Sequence, residues 1–502
     1  VIFGVRLRSR GSFSYLRWGS LLLVLLAVVV TILQLVRFSR LWINFPASLS
    51  IAGIPVGQLS RQAAVERLLT IYSQPIELDY NQSIIHLDPA TVGFALDNDS
   101  MLAAAEQART QTSFWEAFWN YLWSRNTLPL DIPLRASYSE DRLRAYLQDD
   151  VAARYDQPST SAMPIVGTTN FQAGTSGSEL DVERAIPMIE TALFSLKQRA
   201  VDLPIKKVAP SHPTFANLEV LLRQTIDLSG FDGVIGVYVS DLQSGQNVSF
   251  VLNQGEEVST PPDVAFTASS TIKIPIMISV FRRIGDNPDV ETTRNLEDMI
   301  AKSINTASDW LMQNKIDRAR GPLLVTEDMQ TLGLDNTFLG GYFYAGAPLL
   351  QEFSTPANRR ADISTEPDPY SQTTPAEIGQ LLQDLYQCAN MNGGALVAAF
   401  PGEITQAECR SMINYLIQDR IALLIQAGVP DGTNVAHKHG WVTDLYGVIH
   451  DMSDAAIVFT PGGDYVFTFY MYHPVQIVFD PANQLVKDLS RAIYNYYNIP
   501  TP

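Results

Sequence analysis

The first strong pattern along the chain is an unbroken apolar run. Residues 21–36 are apolar except for Thr31 and Gln34, and a helix over residues 19–38 would be about 30 Å long, the thickness of a bilayer core. Beyond it the pattern becomes amphipathic. Ser60 precedes Ala64, Val65, Leu68 and Leu69, and Ser139 precedes Leu143, Tyr146 and Leu147, so each serine is placed to cap a helix. Pro75-Ile76-Glu77-Leu78 and Pro164-Ile165-Val166-Gly167 predict short strands. Gly93-Phe94-Ala95-Leu96-Asp97 recurs as Gly177-Ser178-Glu179-Leu180-Asp181, each ahead of a helical stretch. Two copies of a small helix-strand-strand-helix unit are therefore expected, over residues 48–128 and 129–210.

Late in the first copy, Phe114, Trp115, Phe118, Trp119, Leu122 and Trp123 form an aromatic stripe at helical spacing. It reads as packing between subdomains, with a place at a membrane interface as the alternative. Further on, Ile272, Ile274, Pro275, Ile276 and Ile278 surround a polar pair at the start of a helix buried on most sides. Residues 299–307 close a second helical stretch, and residues 435–441 read as a strand in which Gly440 lets another backbone approach closely.

The chain has 502 residues, 46% hydrophobic and 17% charged, which suits about three packed domains and excludes a disordered chain. Arg6, Arg8, Arg10 and Arg17 precede the apolar run, against Arg37 and Arg40 behind it. Residues 1–18 are thus expected to stay cytoplasmic, residues 19–38 to anchor, and the rest to lie outside. A cleaved signal peptide is the rival, but no small-x-small site follows the run before Pro46-Ala47-Ser48. The chain does not open with Met, which leaves the length of the tail open. A net charge of −17 argues against nucleic acid as partner. Cys388 and Cys409 are the two cysteines; outside the membrane they are expected to form a disulfide, the alternative being two unpaired core thiols.

Three short motifs carry the chemistry. Ser270-Thr271-Ile272-Lys273 sets a hydroxyl and an amine three residues apart on one helix face, where the amine can deprotonate the hydroxyl. Ser303-Ile304-Asn305 and Lys438-His439-Gly440 follow in order. Ser-x-x-Lys alone arises by chance; the ordered set resembles class A β-lactamases and penicillin-binding proteins. The resemblance spans residues 214–502. Residues 234–251 look like that family's first hairpin, turning at Asp241-Leu242-Gln243-Ser244-Gly245. Thr373-Thr374-Pro375-Ala376-Glu377 resembles the entry to a later helix, and residues 455–472 look like the last hairpin. An α+β domain follows from the resemblance, an antiparallel sheet flanked by helices. The preceding repeats are similar to the peptidoglycan-binding repeats found beside L,D-transpeptidase and vancomycin-resistance-type domains; a plain spacer is the other reading.

The resemblance implies roles. Ser270 attacks a carbonyl, Lys273 is its base, and Ser303 passes the proton to the leaving nitrogen. Lys438 supplies a positive field. Asn305, His439 and Gly440 bind substrate, and the N–H groups of Ser270 and Trp441 form the oxyanion hole. No cofactor is implied; the partners are β-lactams or peptidoglycan and, through one helix, the cytoplasmic membrane. Three departures stand out. His439 replaces a hydroxyl residue, Ile304 replaces an aspartate, and the first two motifs lie closer together than is usual. A gap is larger still: the glutamate that deacylates class A enzymes is expected within residues 338–344, which hold no acid. Glu352, Asp362, Glu366 and Asp368 follow as possible substitutes. A silent binding or sensor module is thus the alternative to a serine hydrolase. A zinc site built on His437, His439 and His450 with Asp451 lacks a third ligand at useful spacing, so no metal is expected.

Overall fold

The computed structural model describes residues 13–125, 129–259, 261, 263–419 and 421–499. Arg6, Arg8 and Arg10 lie outside the described residues. Helix and sheet are mixed, and the chain divides into two compact units. One holds the described residues up to Ser159 together with Ser176–Ala209. The other holds Thr160–Thr175 and the described residues from Pro210 onward.

The first unit opens with the helix Phe13–Leu41, of which Arg17–Leu41 is long and apolar enough to cross a bilayer. Leu21, Leu25, Val29 and Leu33 on it are exposed, as none of the described residues packs over them. After it, short helices start where small polar side chains cap them. Ser60 Oγ accepts from the Ala63 N–H, and Ser139 Oγ from that of Arg142. Asp97 and Asp181 cap the helices Asn98–Thr110 and Val182–Leu193 in the same way, through Ser100 and Arg184. Strands of two to five residues cannot bury a face alone, so they interleave. Ala200–Asp202 runs parallel to Ile76–Tyr80 with Val201 beside Leu78, and Leu130–Ile132 runs parallel to Leu49–Ile51. One core accordingly joins Ile76, Leu78 and Tyr80 to Leu143, Leu147, Val151 and Ile189.

The second unit is built on a six-stranded antiparallel sheet in the order Glu256–Glu257, Asn247–Asn253, Val234–Asp241, Tyr465–Tyr472, Ile449–Phe459, Asn434–Thr443. Its side chains alternate between two cores, as a strand requires. Ile235, Val237 and Val239 face the helices Phe215–Ser229 and Phe479–Tyr497, while Val234 and Tyr238 face a helical lobe. A small hairpin, Met163–Pro164 with Phe171–Gln172, belongs to this unit, and Phe171 meets the ring of Tyr496 edge-on at 5.8 Å. In the lobe, Lys273–Ile284 is buried nearly end to end, and Cys388 on Pro375–Met391 is disulfide-bonded to Cys409 on Gln406–Ile417. Asn434–Thr443 is the edge of the sheet, and its free side meets the start of the Lys273 helix.

Candidate active site

One turn of 3₁₀ helix, Ser269–Ile272, delivers Ser270 to the mouth of the Lys273–Ile284 helix. Ser269 takes φ 51° and Ser303 takes φ 58°. Left-handed backbone at non-glycine residues costs about 1–3 kcal/mol and survives where the surroundings hold it. One kink precedes Ser270 and the other lies at Ser303 itself. Lys273 is wholly buried, whereas Ser270 and Ser303 are half-buried and reachable.

Lys273 Nζ lies 3.1 Å from Ser270 Oγ and 3.1 Å from Ser303 Oγ, 2.7 Å from the Ser303 carbonyl and 2.8 Å from Asn305 Oδ1. Ser303 Oγ donates to Ser270 Oγ across 2.9 Å. Two of these four partners are carbonyl oxygens, which can only accept. They take the two N–H bonds of a neutral amine, leaving its lone pair for the Ser270 hydroxyl. Burial and then the charge of Lys438 bring the Lys273 amine down to about 7, against the opposing pull of Asp309 and Asp419. The amine can therefore be neutral at physiological pH.

Across the cleft, the edge strand needs a glycine. A Cβ on Gly440 would stand 2.6 Å from the Ser270 nitrogen and 2.7 Å from Ser269 Cβ. Lys438 is fully buried, with Nζ 3.2 Å from Asp419 Oδ2 and 3.3 Å from the His439 carbonyl. Burial lowers its pKa, with Asp419 working against that shift. His439 places Nδ1 2.7 Å from the same Asp419 oxygen, and its ring stacks on Trp441 at 5.1 Å. His437 is held at both nitrogens, by the Asp454 carboxylate at 3.0 Å and the Asp419 carbonyl at 2.7 Å. Burial opposes its charge, but Asp454 and Asp419 together raise its pKa. Asp419 is itself held low: burial would raise it, and the imidazole of His439 and the charge of Lys438 outweigh that. The two histidines are thus tied to carboxylates behind the strand.

Asp309, Asp419, Asp454 and Phe343 are the neighbours that motif reading missed. Asp309, six residues after Ser303, accepts the Phe343 N–H at 2.9 Å. The Phe343 ring centroid lies 5.7 Å from Lys273 Nζ. Of the later acids, Asp362 pairs with Arg360, Glu366 bonds Tyr472, and Asp368 accepts from the Tyr370 N–H. Glu352 is exposed. Among the described residues, none of the four hydrogen-bonds Ser270, Lys273 or Ser303.

The family model of the beta-lactamase enzyme family matches residues 218–294 and 286–497, more than half of the chain. The chain belongs to the beta-lactamase enzyme family. Its fold is also similar to solved structures. An ancestral class A beta-lactamase is 21% identical, with 55% of this chain and 98% of that one covered at a TM-score of 0.39. PBP-A is 19% identical, with 58% and 99% covered at 0.40. A beta-lactamase from Desulfarculus baarsii is 18% identical, with 57% and 100% covered at 0.41. No curated protein matches.

Proposed function

We propose that this member of the beta-lactamase family is a serine hydrolase that captures β-lactams or D-Ala-D-Ala-type wall peptides as an ester on Ser270. It would be anchored by Arg17–Leu41 with the catalytic unit outside the cytoplasm. The observation that carries the reading is the seating of the Lys273 amine, with its lone pair free for the Ser270 hydroxyl. Attack by Ser270 Oγ forms the acyl bond as its proton passes to Lys273. Lys273 then protonates Ser303, and Ser303 protonates the leaving nitrogen as the amide bond breaks. The Ser270 and Trp441 N–H groups would hold the oxyanion, Lys438 would supply the field, and Asn305, His439 and Gly440 would line the substrate.

Hydrolysis of the ester needs a second base. Where the family would keep one, Phe343 covers Lys273. Capture with slow release follows, which also suits a sensor. The test is a fluorescent penicillin followed by intact mass over hours. One rapid equivalent of ring opening and a long-lived adduct on Ser270 are expected. No adduct, or an adduct that persists in Ser270→Ala, sinks the reading. A steady rate equal to the burst overturns slow release, and Glu352→Gln, Asp362→Asn, Glu366→Gln and Asp368→Asn would then find the base. External protease on intact cells should remove the catalytic unit; full protection would reverse the orientation.

A further inference from the structure

The aromatic helix Phe114–Leu122 and the residue that caps it carry the three exposed tryptophans Trp115, Trp119 and Trp123, at 61%, 52% and 68% exposure. At 100° per residue these cover an arc of about 80°. One flank of that arc is the face that packs on the apolar helix. Phe38 meets Phe114 at 5.4 Å, Phe118 at 5.5 Å and Tyr121 at 5.2 Å, and Trp42 meets Phe114 at 5.4 Å. The other flank is polar, with Glu116 and Asn120. Sequence reading favoured packing of the stripe between subdomains over a place at the membrane interface. Phe118 alone is buried among its aromatics, and the three tryptophan rings are more than half exposed.

The depth of this helix is set by its partner. Tyr121 donates its hydroxyl to Gln34 Oε1 at 3.2 Å. Gln34 lies four residues, about 6 Å, inside the end of a span over residues 19–38. Arg37 and Arg40 follow on the same helix, where charge belongs at headgroup level. Beside this junction opens a cavity of about 540 Å³ whose wall passes from Phe38, Leu41 and Tyr121 to Asn44, Arg109 and Arg125. An apolar-to-basic gradient at that height matches the boundary between acyl chains and phosphates.

We infer that Trp115, Trp119 and Trp123 dock in the phospholipid interface on the non-cytoplasmic side of the membrane, laying the Phe114–Leu122 helix flat against the bilayer. The occupant of this face is lipid, because the face continues directly from a helix whose own apolar surface is bare. Tryptophan is favoured at this depth, its ring in the acyl boundary and its N–H toward water. The inference rests on the anchor reading above.

The test uses the full chain in vesicles of phosphatidylcholine and phosphatidylglycerol. Both native cysteines are in a disulfide, so a single introduced thiol can carry a nitroxide. Trp119→Cys should collide with oxygen several-fold more often than with a water-soluble nickel complex, and Glu116→Cys on the polar edge should show the reverse. Labelling of Ser270 by penicillin checks that each variant is folded. A label at residue 119 that is open to the nickel complex, in a chain whose mass includes the span, overturns the docking and leaves the anchor standing. A label shielded from both reagents means protein packing and also overturns it. A chain recovered without the span removes the anchor, and the docking with it.

Discussion

The two flanks of Ser270 are built by opposite rules. On one, Lys273, Ser303 and Asn305 crowd polar atoms within 3.1 Å of one buried amine. On the other, Phe343 offers an aromatic ring, and the carboxylate of Asp309 is spent on its backbone N–H. Acylation and deacylation call for different bases, so a site can keep the first and lose the second. The comparison also separates what reacts from what supports. Lys273 sits among hydroxyls and carbonyl oxygens that face the cleft, whereas Lys438 and its partner Asp419 are both buried.

The largest effect should come from the polar flank. Lys273→Ala should slow acylation about 10²–10⁴-fold, as loss of a positioned base does. Lys273→Arg should not restore it, because a guanidinium keeps its proton. Stopped-flow acylation checks both, and a variant within tenfold of the parent would mean that another group takes the Ser270 proton.

Next in size is the support behind the edge strand. Asp419→Asn leaves Lys438 buried without a counter-charge, which should cost about 3–5 kcal/mol in urea unfolding. His439 loses its carboxylate partner as well, so the His439–Trp441 stack should loosen. A loss below about 1 kcal/mol would mean that water reaches Lys438 after all.

Much of the polar flank could be read from the chain because its geometry is local. Ser270 and Lys273 are one helical turn apart, and Gly440 marks a close approach that only a bare Cα allows. The helix entry at residues 373–377, which the family resemblance marked, also forms, and Thr374 caps it. Asp419 and Asp454 were not. Asp419 meets Lys438 from a turn nineteen residues earlier, and Asp454 reaches His437 from the neighbouring strand, where register decides the contact. Phe343 is aimed by Asp309, a bond between a helix and a loop with no periodic signature. In the first unit the strand at Ile76 was visible, but not that Ala200–Asp202 would join Ile76–Tyr80, because parallel pairing leaves no turn to read; of the strand expected over residues 164–167 only Pro164 is extended, in a hairpin of the other unit, and Val166 and Gly167 turn.

The smallest effect sharpens the comparison most. Acylation should rise about tenfold per pH unit up to about 7 and then level off, as Lys273 loses its proton. Asp451, which neither flank uses, is pushed up by burial to about 7 as well, and its Oδ1 lacks a hydrogen-bond partner. One kinetic midpoint thus has two candidate owners. Their stability signatures have opposite signs and separate windows. Asp451 keeps its proton in the folded state after the unfolded chain has lost it, so its contribution declines as pH rises from 3.8 to about 7. Lys273 is neutral in the folded state while the unfolded chain is still charged, so its contribution grows from about 7 to 10.5. Asp451→Asn should therefore flatten the stability curve below pH 7, gaining about 3 kcal/mol at pH 7 relative to pH 4. It should leave the curve above pH 7 and the acylation profile unchanged. If Asp451→Asn instead moves the kinetic midpoint, the proton that governs acylation is not on Lys273, and the polar flank loses its claim to be the site's base.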